Sequence, residues 1–179
     1  MFTKRAAASA ALVLASTIAV NAADLTPAYT PAPPPPAVSY TPMIGFDWSG
    51  PYVGAYGGYL IGVGFGQAGA QAGYNFMLGN TFVAGIEVQA GGIWAFPGLL
   101  GEANANARLG AAFGDVLVYA EGGVGIIYPV AFTWNAGGGL EYAINNDFSV
   151  FGEAKAVGAF GGGYIGTTVQ AGVNWHFGY

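Results

Sequence analysis

Ser149 and His176 have the side-chain types of a hydrolytic pair, a serine and the chain's one histidine, which could work with a nearby carboxylate. Such a set works when histidine takes the serine proton and the carboxylate orients the histidine. Ser149 and His176 fall on the same face of two alternating stretches that read as neighbouring strands, so their spacing could bring them together near one rim. No nucleophile elbow or oxyanion motif surrounds Ser149. We read it as a turn-edge serine and His176 as a polar inward residue, and assign no catalytic residue. A second set is Glu87, Arg108, Glu121, Glu141, Glu153 and Lys155, each an ionisable residue inside an otherwise apolar or small-residue stretch. Glu141 and Glu153 could serve acid/base chemistry but lack a cleft for a substrate, so a charge network is the better reading. One histidine and no cysteine leave no metal-ligand pattern. Gly161-Gly162-Gly163 does not open a helix after a strand, which leaves a phosphate cradle unsupported. No cofactor is expected.

The elements that must position these residues are strands. In the last stretch Val169, Ala171, Val173, Trp175 and Phe177 alternate with Gln170, Gly172, Asn174 and His176, and a period of two is that of a strand with two unlike faces. Eight such stretches follow Trp48: about Tyr52–Ile61, Gln67–Met77, Thr81–Gly91, Asn104–Phe113, Val116–Ile126, Thr133–Ile144, Phe148–Val157 and Thr167–Phe177. Each is near the ~9–11 residues that a tilted strand needs to cross a bilayer. Leu78-Gly79-Asn80, Gly114-Asp115 and Asn145-Asn146-Asp147 read as tight turns at one end. Gly92–Ala103, Ile127–Phe132 and Gly158–Gly166 are expected as longer loops at the other, with Gly62–Gly66 a short one.

Parity along these strands sorts the charges. With Val53, Tyr74, Ile86, Leu109, Val118, Leu140, Val150 and Val173 facing outward, all six charges of the second set face inward. A basic residue at the lipid midplane costs roughly 2–4 kcal/mol, which accounts for the sorting. The predicted fold is all-β, an eight-stranded antiparallel up-and-down transmembrane β-barrel. Its interior is about wide enough for side chains to fill. We expect Arg108 and Lys155 each to bridge two or more glutamates, Arg108 holding Glu87 and Glu121.

Bulk composition agrees. Of 179 residues only 7% are charged and 54% are hydrophobic, with 32 glycines and no cysteine. The acidic balance excludes a nucleic-acid partner, which would need a basic surface. An apolar calyx with a charged exterior, as in a soluble lipid carrier, is the reverse of the pattern here. Residues 1–22 read as a signal peptide, with Lys4 and Arg5 ahead of an apolar run and small residues at its end. Its removal leaves Arg108 and Lys155 against nine acidic residues. Residues 23–47 carry seven of the ten prolines and read as a periplasmic tether, with docking to the cell wall a lesser alternative. Residues 48–179 form the barrel.

Trp48-Ser49-Gly50-Pro51-Tyr52-Val53-Gly54, Gln71-Ala72-Gly73-Tyr74-Asn75, Ala107-Arg108-Leu109-Gly110, Tyr119-Ala120-Glu121-Gly122-Gly123-Val124, Gly139-Leu140-Glu141-Tyr142-Ala143 and Gly172-Val173-Asn174-Trp175-His176-Phe177, in that order, resemble the small outer-membrane β-barrel proteins of Gram-negative bacteria, porin-like and related in plan to the OmpA membrane domain. The resemblance implies an outer-membrane location, lipid as the surrounding partner, delivery to the barrel-assembly machinery through the C-terminal strand, and a structural role without enzymatic activity. The alternatives are a narrow cation-favouring pore and, behind it, an outer-membrane hydrolase. The chain departs from the family in its shorter outer loops and in Gly178-Tyr179 after the aromatic Phe177.

Overall fold

The computed structural model of the chain describes residues 45–95 and 97–177. The expected signal peptide, residues 23–44 of the expected tether and Gly178-Tyr179 lie outside the described residues. Eight strands follow one another: β1 Gly50–Ile61, β2 Phe65–Leu78, β3 Phe82–Ala95, β4 Gly98–Phe113, β5 Val116–Tyr128, β6 Ala131–Ala143, β7 Phe148–Ala159 and β8 Gly163–His176. Each pairs antiparallel with the next, and β8 pairs with β1 to close the sheet. Closure leaves no strand edge, so every strand finds ladder partners on both sides.

Alternation in the sequence becomes alternation in burial. Leu109 is 61% exposed while its neighbour Arg108 is 5% exposed, and Ile86 is 62% exposed beside Glu87 at 3%. A closed barrel turns the two faces of each strand into an inside and an outside. The outside is apolar on all eight strands, with bulky residues such as Phe82, Phe113, Tyr142 and Trp175 toward one end.

We call the end where β1 starts and β8 finishes the near end. Its connections are 79–81, 114–115 and 144–147; those of the far end are 62–64, 96–97, 129–130 and 160–162. All the far-end connections are therefore short, and the three longer loops expected there are corrected. Gly92, Ile93, Trp94 and Ala95 pair with Gly101, Leu100, Leu99 and Gly98, which extends β3 and β4 where glycines hide the alternation. In the same way β5 and β6 run on to Ile127↔Ala131, and β7 and β8 to Ala159↔Gly163 past a bulge at Val157/Gly158.

Glycine has a specific use inside. Tyr52 and Tyr56 sit opposite Gly73 and Gly69 in the β1–β2 ladder, and a Cβ on either glycine would run into the facing tyrosine ring. A large aromatic side chain thus lies flat over a residue that has none. This keeps the phenols within a lumen too narrow for two large neighbours.

Candidate functional site

The lumen is the one place where ionisable side chains converge among the described residues. Its near-end layer is built on Arg108 from β4. The guanidinium donates to Glu141 at 2.9 Å and to Glu87 at 3.4 Å, and it donates to the Tyr52 hydroxyl at 2.6 Å. Tyr52 in turn donates to Glu87 at 2.7 Å. The Tyr119 ring lies under the guanidinium, 3.9 Å from its carbon to the ring centroid, within the range of a cation–π contact.

Lys155 from β7 organises the middle layer. Its Nζ is 2.8 Å from both Glu121 and Glu153 and donates to Gln89 at 3.0 Å. Tyr119 donates to the second oxygen of Glu153 at 2.7 Å, and Gln170 donates to the first. Amides join the two layers. Asn174 donates to Glu141 at 2.7 Å, Gln71 to Asn174 at 2.8 Å and Gln89 to Gln71 at 3.1 Å. Buried ionic groups of this kind depend on such multiple bonds, because desolvation of each charge otherwise exceeds the Coulombic gain.

All six sequence-selected residues therefore lie together in the lumen, and Arg108 holds Glu87 as expected, but its second carboxylate is not the expected one. Glu121 belongs to Lys155 and Glu141 to Arg108. Sequence reasoning missed Glu102, placed in an expected loop; it faces inward on β4 and accepts from Tyr56 at 2.8 Å. It also missed the three lumen phenols, Tyr52, Tyr56 and Tyr119, although parity alone puts them opposite the outward Val53, Ala55 and Val118.

Ser149 and His176 do meet. The Ser149 hydroxyl donates to Glu141 at 2.5 Å and lies 3.0 Å from His176 Nε2. In a catalytic triad the serine faces Nε2 and the carboxylate Nδ1, whereas Ser149 and Glu141 here face the same nitrogen. The carboxylate contacts Nε2 at 3.3 Å, while Nδ1 has no hydrogen-bond partner. Both Ser149 and His176 are buried.

The near mouth is sealed by residues ahead of β1. Trp48 donates from its indole nitrogen to the carbonyl of Gly114 at 3.1 Å, and the Phe46 backbone donates to Asp115 at 3.1 Å. Both bonds reach the β4–β5 turn, across the barrel from β1. Phe46 and Trp48 pack with Val83, Leu117, Tyr119 and Ala143, and their rings stand edge-on to His176 at 5.0 and 5.9 Å. Toward the far end a cavity of about 20 Å³ remains, bordered by Leu60, Gln67, Glu102, Asn135, Lys155 and Gln170. That is room for little more than one water.

A closed eight-stranded antiparallel barrel with a charged, filled interior and an apolar exterior is the class these features define. A chain from the de novo design of transmembrane β-barrels matches it with a TM-score of 0.53 and 14% identity, over 71% of this chain and 94% of that one. The N-terminal β-barrel domain of Pseudomonas aeruginosa OprF matches with a TM-score of 0.53 and 15% identity, over 71% of this chain and 96% of that one. At these identities the likeness is one of fold. No protein-family model and no curated protein matches the sequence.

Proposed function

We propose that this protein is a structural barrel of a Gram-negative outer membrane that contributes to envelope integrity, its lumen closed by the Arg108 and Lys155 networks. One observation carries the reading. Every charge on the strands faces inward and the outward faces of all eight strands are apolar, an arrangement that water would penalise and hydrocarbon requires. The fold likeness to a designed transmembrane barrel and to the OprF barrel domain supports a membrane location. With both strand termini on the near side, that end faces the periplasm. Lipid is then the surrounding partner, the C-terminal strand is what the assembly machinery reads, and the Pro-rich segment is a periplasmic tether within reach of the cell wall.

Against the pore alternative stands the filled lumen, sealed by Trp48 at one end and bridged from wall to wall by Arg108 and Lys155. Against the hydrolase alternative stands the placement of Ser149 and Glu141 on the same imidazole nitrogen, with Ser149 and His176 both buried. Two measurements test the proposal. Folded protein in envelope fractions should migrate differently on SDS gels before and after boiling, and the protein refolded into planar bilayers should show no large, stable conductance steps. Recovery in the soluble fraction without heat-dependent mobility would remove the membrane assignment; regular large steps would replace the plugged barrel with the pore.

A further inference from the structure

The two ends of the barrel differ in chemistry. The near end carries Asp47, Asp115 and Asp147 together with Asn80, Asn145 and Asn146. From Tyr59 to Gln67, Gly92 to Gly101, Gly125 to Thr133 and Ala156 to Thr168, the four far-end hairpin tips carry no charged residue. Their exposed side chains are apolar or aromatic instead: Trp94, Leu99, Tyr128, Val130, Phe132 and Phe160. Val130 is 64% and Phe160 60% exposed, although both sit in turns, where a barrel projecting into water would place polar residues.

Height says where this crown lies. On β8, Trp175 belongs to the near aromatic girdle and Tyr164 to the crown. Eleven steps at ~3.3 Å, tilted by ~40°, span about 28 Å along the barrel axis. On β6 the ten steps from Tyr142 to Phe132 span about 25 Å by the same conversion. The apolar band of a membrane barrel is about 25 Å tall. The crown therefore falls at the level of the second girdle, and connections of two or three residues add no length to rise above it. It is also continuous with the apolar face below.

We propose that the far-end turns themselves are embedded in the interfacial layer of the bilayer, wetted by lipid headgroups and upper acyl chains, so that the protein presents no aqueous surface at that end. This inference rests on the membrane reading above. Tyr128, Tyr164 and Trp94 suit that layer, since each has an apolar ring and a polar tip. Leu99, Val130 and Phe160 suit only its apolar side.

The absence of cysteine allows a direct test with single-cysteine variants carrying an environment-sensitive fluorophore, in phosphatidylcholine vesicles. Val88→Cys, on the mid-height outer face, should be quenched by lipids spin-labelled deep in the acyl chain; if it is not, the membrane reading itself fails. Asn80→Cys, in a near-end turn, should be quenched by aqueous iodide. Val130→Cys and Leu99→Cys should show several-fold weaker iodide quenching than Asn80→Cys and strong quenching by lipids labelled near the headgroup. Iodide quenching equal to that at Asn80→Cys, with Val88→Cys still lipid-quenched, would overturn the proposal and leave the membrane reading standing. Protection of Val130→Cys from both quenchers would also overturn it, by showing a protein cover such as a second copy of the chain.

Discussion

Arg108 stands directly opposite Glu121 in the β4–β5 ladder, yet its guanidinium bonds Glu141 one strand further on, at 2.9 Å. Adjacency in the ladder brings the two backbones together but does not aim the side chains. The Arg108 guanidinium lies over the Tyr119 ring of β5 and reaches past that strand toward β6. Glu121 is left to Lys155, which comes from β7 at 2.8 Å.

Arg108 and Leu109 are adjacent residues on opposite faces, so they separate loss of a network from damage to the lipid face. Leu109→Arg puts a guanidinium in hydrocarbon and should cost on the order of 2–4 kcal/mol near the midplane. Arg108→Leu abandons Glu87 and Glu141 and should cost about 3–5 kcal/mol, the range for removing one partner of a buried pair. Acid protonates the abandoned carboxylates, so the Arg108→Leu deficit should shrink as pH falls. The Leu109→Arg deficit should not respond, because arginine keeps its charge. Urea unfolding in lipid vesicles at neutral and acidic pH measures both; a harmless Leu109→Arg would invert the face assignment.

Lys155 is the one ion-pair partner of Glu121 among the described residues. Lys155→Met should therefore be strongly destabilising, and Glu121→Gln introduced with it should recover part of the loss. A double-mutant cycle by the same urea measurement should give a coupling on the order of 1–3 kcal/mol. Strict additivity would show that the pair does not act as a unit.

Ser149 donates its hydroxyl proton to Glu141. Ser149→Ala should remove the 2.5 Å bond to Glu141 and cost roughly 1–3 kcal/mol. The wild-type protein should not be labelled by a fluorophosphonate probe. Labelling that disappears in Ser149→Ala would establish a nucleophilic serine and sink the structural role.

Trp48 seals the near mouth over His176. Trp48→Ala should cost about 3–5 kcal/mol and make His176 accessible to diethylpyrocarbonate in folded, vesicle-bound protein. Unchanged modification rates, with folding intact, would mean that Trp48 is not the seal.

The sequence alone determined which face each strand residue occupies, because side-chain direction in a strand is a local property with a period of two. Glu87, Arg108, Glu121, Glu141, Glu153 and Lys155 could thus be gathered into one lumen without any knowledge of pairing, and eight strands could be counted. The hairpin tips were less legible. Where Gly91, Gly92, Gly98 and Gly101 replace side chains, nothing alternates, and the extension of β3 and β4 is set by the ladder each offers the other. Tertiary structure also decided the ion pairs. Long side chains inside a staggered, closed barrel reach across its width and along its axis, so Arg108 and Lys155 choose carboxylates by where their tips arrive. The seal was hidden for the same reason: the bonds from Phe46 and Trp48 to Asp115 and Gly114 span 69 and 66 residues of sequence, and only closure of the barrel brings those ends face to face.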